Sequence, residues 1–456
     1  MIEPNTFNII SLGCPKNTVD SDSMVQLLGA NGYQYLEESN RAQVIIVNTC
    51  GFIAPAREES IKILKKLASQ KHKGQFLIAA GCLTQRYGDQ IAKEVKGLDG
   101  ILGTRRWMDI VEVVRRIRGD NPPHPLYHLP ESTTIGQDPP HLLRATLQGG
   151  GSAYLKIADG CHRPCAFCSI PLIKGPLRSR PISAIVEDAR KLAERGVKEI
   201  ILIAQDTTDY GSDLGLKDGL AQLLEGLVGE IPQVPWIRIL YAYPGYVSDR
   251  LIDLIASHPQ ILPYLDIPLQ HAHPDTLKRM QRPANIEWVY RTIGKMRQRI
   301  PNLVLRTTFI VGYPGETEQE FQTLLDFIEE IRFDRVGAFQ FSFEPGTPSE
   351  TLGDPIPVQI KQDRYDRLMS LQQGISLHIN QNWIGKTLPV LFEGIGEIEG
   401  ERGNSRTYPI SVGRSYRDAP EIDGLVILEG EAPIGEITPV KICGAFPYDL
   451  QATLIN

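Results

Sequence analysis

Twice along this chain, short apolar runs alternate with segments of helical period. That alternation admits few folds other than parallel sheets covered by helices. Between residues 5 and 118 the runs FNIISLG (7–13), AQVIIVNT (42–49) and QFLIAAG (75–81) read as buried strands, and helix-like stretches follow each: SDSMVQLLGANG, AREESIKILKKLASQ and YGDQIAKEVK. From about 150 to 345 six more candidate strands appear, AYLKIA, EIILIAQ, WIRILYAY, YLDIPLQ, LRTTFIVG and RVGAFQFSF, separated by helical segments such as ISAIVEDARKLAERG. Six βα units are too few for a closed eight-fold barrel, so the spacing predicts a partial, open one. Between these regions, RGDNPPHPLYHLPESTTIGQDPPH is rich in proline and polar residues and reads as a linker. A helix around 358–383 leads into a tail, 386–456, whose short strands and many glycines predict a small antiparallel barrel. The expected fold class is α/β, with domains at 5–118, 147–383 and 384–456 and a linker at 119–146.

Length and composition agree with this reading. A chain of 456 residues can hold two or three cores. No apolar run approaches the ~20 residues of a membrane helix, and MIEPNTFNIISLGC lacks the basic-then-apolar order of a signal peptide. Seven cysteines are too few for a disulfide scaffold. The expected compartment is a reducing cytoplasm, where clustered thiols read as metal ligands or catalysts. A formal net charge of -6 argues against broad nucleic-acid binding by charge alone, although a local basic patch is compatible with it.

The stretch ADGCHRPCAFCSIP holds Cys161, Cys165 and Cys168 in the spacing C-x3-C-x2-C, just after the first strand of the second region. One reading is a structural zinc with His162 as fourth ligand. Zinc sites usually bring a second pair of ligands, absent here, and His162 adjoins Cys161, which makes joint ligation of one ion awkward. Free core cysteines suit a Gly- and Pro-flanked loop poorly. The other reading is an iron–sulfur cube. Ordinary clusters take four cysteines; three leave one iron open for a substrate or cofactor.

Nearer the N-terminus lies another triplet, the first in chain order, spread along the first region. Cys14 in SLGCPKN, Cys50 in VNTCGFI and Cys82 in AAGCLTQ each follow a predicted parallel strand by the same step. Parallel strands bring their C-terminal ends to one edge of the sheet, where open α/β folds bind ligands. The three thiols are therefore expected at one rim, with helix N-termini favouring the negative charge of a thiolate-bound cluster. Chance burial of three cysteines is the alternative.

CHRPCAFC resembles the cluster motif of the radical S-adenosylmethionine superfamily, and the two triplets together resemble its methylthiotransferase family over nearly the whole chain. The resemblance implies two 4Fe–4S clusters, on Cys161, Cys165 and Cys168 and on Cys14, Cys50 and Cys82, with S-adenosylmethionine bound at the first. One S-adenosylmethionine would methylate a sulfur of the second, auxiliary cluster. Another would yield the radical that removes a substrate hydrogen, and the carbon radical would take the methylthio group. Polar residues at other strand ends are expected to contact S-adenosylmethionine: Gln205, Asp206, Gln270, His271, Gly312, Gly315 and Glu316. The glycines could equally serve a turn, and His271 could be a satisfied buried histidine. No general acid/base pair is assigned beyond the cluster ligands.

SLGCPKNTVDSD and GRSYRDAPEIDG (413–424) resemble the branch of the family that modifies a ribosomal protein, with a C-terminal barrel called the TRAM domain. Asp22, where Glu is usual, and Lys174, where Arg is common, depart from the branch pattern without touching a cluster cysteine. The resemblance implies an aspartate of small-subunit ribosomal protein twelve as substrate and 3-methylthioaspartate as product. It also implies an external electron donor such as flavodoxin or ferredoxin, and a monomer. Charge argues in the same direction: residues 387–456 carry five basic and eleven acidic side chains, equal to the chain's whole formal deficit. An acidic module suits a basic partner better than phosphates. Cys443 reads as a buried structural thiol of that barrel. The competing readings are a tRNA methylthiotransferase and a non-catalytic iron–sulfur or zinc adaptor.

Overall fold

Residues 2–399 and 407–455 are described by a computed structural model. They form two compact units. The first holds the residues up to Thr146 together with Ala158–Ser179 and Ser342–Thr351; the second holds Leu147–Ile157, Arg180–Phe341 and the residues from Leu352 onward.

The first unit is built on a parallel sheet of β1 (Glu3–Ser11), β2 (Gln34–Tyr35), β3 (Ala42–Thr49), β4 (Phe76–Gly81), β5 (Gly100–Gly103) and β6 (Leu126–His128), in the order β2-β1-β3-β4-β5-β6. Helices α1 (Pro15–Ala30), α2 (Ala54–Gln70), α3 (Cys82–Glu94) and α4 (Ile110–Ile117) cover it. Alternation along β3 decides the layers. Val44 and Ile46 pack with Met24 and Leu28 of α1 and Val113 of α4. Ile45 and Val47 pack with Leu64 of α2 and Leu83 and Ile91 of α3. A strand buried on both faces is a continuous apolar run, which is why AQVIIVNT is legible as one.

Three strands of this sheet escape the apolar-run criterion. β2 has two residues, β5 is the glycine-flanked GILG, and β6 lies within the segment expected as linker. The order places β2 outside β1 and β3 on its other side, so the direction in which strands are added to the sheet reverses between β1 and β3. That is the topological switch point at which doubly wound sheets bind ligands.

The second unit carries the expected open barrel. β7 (Ala145–Gln148) flanks β8 (Ser152–Lys156); β9 (Ala158–Asp159) and β10 (Arg178–Ser179), which belong to the first unit, come next in the chain, followed by β11 (Glu199–Ile203), β12 (Trp236–Ile239), β13 (Ile261–Asp266), β14 (Val304–Val311) and β15 (Arg335–Gln340). The order β15-β14-β13-β12-β11-β8 matches the six predicted strands, all parallel. Among its helices, Glu318–Ile331 begins with a capping box in which Thr317 and Glu320 satisfy each other's backbone amides.

The tail closes into a barrel of Thr387–Glu399, Thr407–Ser415, Val426–Glu429, Leu450–Leu454 and Ile437–Ala445, in that ring order. It is not wholly antiparallel as expected. Val426–Glu429 runs parallel to Leu450–Leu454, because a closed ring of five strands cannot alternate direction throughout. Cys443 also differs from expectation: it is exposed. Val440 and Ile442 point into the barrel core, and the two-residue period turns Cys443 outward.

The signature at 413–424 is engaged inside this unit. Arg414 pairs with Glu199 (2.6 Å) and Glu393 (2.6 Å), Asp418 with Arg335 (2.6 Å), and Asp423 with the Tyr264 hydroxyl (2.6 Å) and Arg306 (3.3 Å). Glu199 also meets Arg238 at 2.6 Å. Strands β11 to β15 thus each offer a polar side chain to the signature. Burial opposes the charge on Glu199, but Arg238 and Arg414 outweigh it and hold the carboxyl below its ordinary range. Several of the charges counted in the tail are therefore internal. Glu397, Glu421, Glu429, Glu431 and Glu436 remain exposed, with Lys441, so the outer surface keeps its acidic excess among the described residues.

Candidate functional site

Each cysteine of the first triplet stands where a strand of the first sheet ends. Cys14 is the N-cap of α1, entered through Pro15, whose missing N–H costs nothing in a first helical turn. Cys50 directly follows β3, and Cys82 is the first residue of α3. Cys14 and Cys50 leave strands on either side of the switch point, and Cys82 leaves the next strand over. The rim expected from sequence is present, and the switch point gives it a crevice.

Close approach of the three turns depends on glycine. Gly13 has φ +91°, and a Cβ there would lie 2.7 Å from Cys50 Cβ and 3.0 Å from its Sγ. A Cβ on Gly51 would lie 2.6 Å from Leu83 Cα, directly after Cys82. Side chains lock the turns. Asn17 Nδ2 donates to Leu12 O (2.7 Å) and Asn48 O (3.1 Å), and Asn48 Nδ2 donates back to Asn17 O (2.9 Å). The Ser60 hydroxyl accepts from Cys50 N (3.2 Å) and donates to Cys50 O (3.1 Å). A glycine adjoins the cysteine at all three strand ends.

The thiols feel one another. Burial raises Cys50, the amide of Phe52 opposes it, and Cys14 adds to the rise. Burial pushes Cys82 up to about 12; the Lys174 ammonium pulls it back while Cys14 and Cys50 push further. Cys50 and Cys82 resist ionising, and with Cys14 they are held at converging strand ends, an arrangement that fits a polynuclear cation taking them as thiolates.

The second triplet lies in the same unit. β9 pairs antiparallel with β10 and closes the base of a loop that also contains α5 (Ile170–Lys174). Cys161 N donates to Gly175 O (3.1 Å), Cys168 N to Cys165 O (3.1 Å), and Arg163 N to Cys161 Sγ (3.4 Å). The last contact aims a backbone dipole at a sulfur. All three cysteines are half-buried, and His162 is exposed. This donor set fits a cluster held by three thiolates.

The two triplets are tied together. Ser169 Oγ donates to Phe52 O (3.2 Å), joining the residue after Cys168 to the turn after Cys50. Arg105, just past β5, donates to the carbonyls of Ile173 (3.0 Å) and Leu172 (2.8 Å) at the end of α5. Lys174 pairs with Asp20 of α1 at 2.9 Å. Sequence reasoning gave Asp20 and Lys174 no role. The face of α1 that holds Asn17, Asp20, Ser21 and Ser23 is buried although polar, and hydropathy does not register such a face.

The remaining predicted residues belong to the second unit. Asp206 Oδ1 accepts from Thr208 N (2.9 Å), the Thr208 hydroxyl (2.6 Å) and Asp209 N (3.3 Å), which shapes the turn after β11. Beside it, Gln205 Oε1 is buried with no hydrogen-bond partner among the described residues. Gln270 has φ +74° and bridges singly to Phe309. Gly312, His271 and Glu316 come together. Glu316 accepts from Gly312 N (2.9 Å) and Tyr313 N (3.2 Å), pairs with Arg364 (2.8 Å) and lies 3.8 Å from His271. Both carboxyl and imidazole are wholly buried. Burial raises Glu316 to about 7 against the pull of Arg364, and lowers His271 to about 3. Glu316 thereby holds the turn containing Gly312 and Gly315.

Comparison with known proteins matches three stretches of the chain. A model of the radical SAM superfamily matches residues 155–328, one described as uncharacterized protein family UPF0004 matches 6–103, and one of the TRAM domain matches 384–455. The chain is similar in fold to the radical S-adenosylmethionine methyltransferase TsrM from Kitasatospora setae, solved with cobalamin and a 4Fe–4S cluster bound. The TM-score is 0.57 at 13% identity, covering 88% of this chain and 81% of that one. It is 48% identical over 461 residues to the ribosomal protein uS12 methylthiotransferase RimO of Chloroflexus aurantiacus, covering 99% of this chain and 100% of that protein. It is 46% identical over 468 residues to the protein of the same name from Roseiflexus sp., covering 99% and 97%. With likeness of this degree over essentially the full length of both relatives, the chain belongs to the RimO family of radical SAM methylthiotransferases.

Proposed function

We propose that this chain methylthiolates the β-carbon of an aspartate in ribosomal protein uS12, giving 3-methylthioaspartate. Relatives named as ribosomal protein uS12 methylthiotransferases, matched over nearly their full length, support this reading, and they do not favour the tRNA alternative. The observation that carries it is the pairing of two three-cysteine sites in one compact unit, since sulfur insertion at an unactivated carbon needs both a radical source and a sulfur donor. When bound, S-adenosylmethionine and the 4Fe–4S clusters supply the radical and sulfur chemistry, and the protein supplies binding and orientation.

In this reading Cys161, Cys165 and Cys168 hold the cluster that binds S-adenosylmethionine, and Cys14, Cys50 and Cys82 hold the auxiliary cluster. Gln205 offers an acceptor to S-adenosylmethionine, while Asp206, Gln270, Gly312 and Glu316 shape the turns around it. The acidic outer surface of the TRAM barrel suits a basic ribosomal protein. All six ligands come from one chain, which suits a monomer, and an external one-electron donor such as flavodoxin or ferredoxin would reduce it.

The test combines reconstituted protein with uS12 and mass spectrometry. Wild type should add a methylthio group to one aspartate. Cys161→Ala should abolish cleavage of S-adenosylmethionine to 5′-deoxyadenosine, whereas Cys50→Ala should keep cleavage and lose transfer. Transfer at the normal rate by Cys50→Ala would refute the role given to the first triplet.

A further inference from the structure

Lys174 ends α5, six residues beyond Cys168, with a side chain only 3% exposed. Its Nζ lies 2.9 Å from Asp20 Oδ2 and 3.4 Å from Asp159 Oδ1. Asp20 is on α1, six residues past Cys14; Asp159 is in β9, two residues before Cys161. Arg144 is a second buried cation beside both carboxylates. It meets Asp20 Oδ1 at 2.8 Å and Asp159 Oδ2 at 3.4 Å, donates to Ser23 Oγ at 2.8 Å, and lies over the Trp107 ring at 4.1 Å. Asp138, more exposed, lies 3.2 Å from Arg144.

Buried ion pairs seldom add net stability, because desolvating the charges offsets their attraction. Where they excel is in fixing which segments meet. Here one ammonium joins the helix that follows Cys14 to the strand that precedes Cys161, and Arg144 repeats the bridge. Helix α5 also packs on α3, which begins at Cys82.

We propose that Lys174 is a positioning residue shared by the two cysteine triplets: its ion pairs to Asp20 and Asp159 keep the helix that follows Cys14 in register with the loop that carries Cys161, Cys165 and Cys168. This rests on the reading that Cys14, Cys50 and Cys82 hold a cluster.

The test uses full-length protein reconstituted anaerobically, as wild type, Lys174→Met and Lys174→Arg. Iron and sulfide are assayed, each cluster's EPR signal is recorded, and 5′-deoxyadenosine is counted per methylthiolated product. Lys174→Met should alter the EPR line shape and raise the count of 5′-deoxyadenosine per product several-fold. Lys174→Arg should restore both. Loss of auxiliary iron in the Met variant but not in the Arg variant supports the same role. A wild-type line shape and ratio in Lys174→Met would overturn the inference alone, as would equal effects of Met and Arg. A wild type that holds only the cluster of Cys161, Cys165 and Cys168 would overturn the inference together with the reading beneath it.

Discussion

Gly13 and Cys50 touch so closely that a methyl group on Gly13 would sit 2.7 Å from Cys50 Cβ, well inside van der Waals contact. Gly13 also holds φ +91°, where an L side chain costs about 1–2 kcal/mol. Gly13→Ala must therefore push the turn of Cys14 away from Cys50. Iron and sulfide analysis with EPR should show loss of the cluster on Cys14, Cys50 and Cys82 and retention of the one on Cys161, Cys165 and Cys168. A Gly13→Ala protein with full iron content would refute the steric argument.

Arg414 neutralises Glu199, which is wholly buried beneath the barrel strands. Arg414→Ala leaves Glu199 with Arg238 alone and Glu393 with its strongest partner removed. Removing one partner of a buried pair costs about 3–5 kcal/mol. Chemical denaturation should register that loss, while Lys441→Ala, at an exposed position, should stay within about 0.5 kcal/mol of wild type.

His271 makes stability depend on acidity. Burial holds its imidazole down at about 3, against 6.5 unfolded, so below pH 6.5 the unfolded chain binds the additional proton. The contribution is fully present above pH 6.5 and is lost as pH falls toward 3. Glu316, raised to about 7 from 4.5, acts in the opposite sense between those values, so the comparison belongs in a Glu316→Gln background. There, adding His271→Gln should flatten the fall of melting temperature between pH 6.5 and about pH 4. Parallel slopes with and without His271 would contradict the assignment.

Gln205 Oε1 is a buried acceptor without a donor among the described residues, an arrangement that costs about 1–3 kcal/mol unless a ligand fills it. Gln205→Ala should raise the S-adenosylmethionine concentration needed for half-maximal 5′-deoxyadenosine formation by roughly five- to thirty-fold. Asp206→Asn should change it less, since Asp206 Oδ1 is already occupied by Thr208 and Asp209.

Much of the fold was legible because parallel strands buried on both faces leave unbroken apolar runs. All six strands of the open barrel and the three longest of the first sheet appear that way. The short strands β2, β5 and β6 did not, since two to four residues framed by glycine or proline carry no period. Cys443 was misjudged for a related reason: one cysteine in a strand reads as buried or exposed only once the register of Val440 and Ile442 is known.

The amino-acid sequence by itself determined which six thiols are candidates and on which strands they follow, because strand ends and cysteine spacings are local properties of the chain. Only the tertiary structure decided that Cys14 and Cys50 flank a switch point, that the signature at 413–424 packs inward, and that Lys174 reaches Asp20. The switch point depends on β2 pairing outside β1, and the contact of Lys174 with Asp20 joins residues 154 positions apart. No local period encodes such a meeting; it exists only once the chain has folded back on itself.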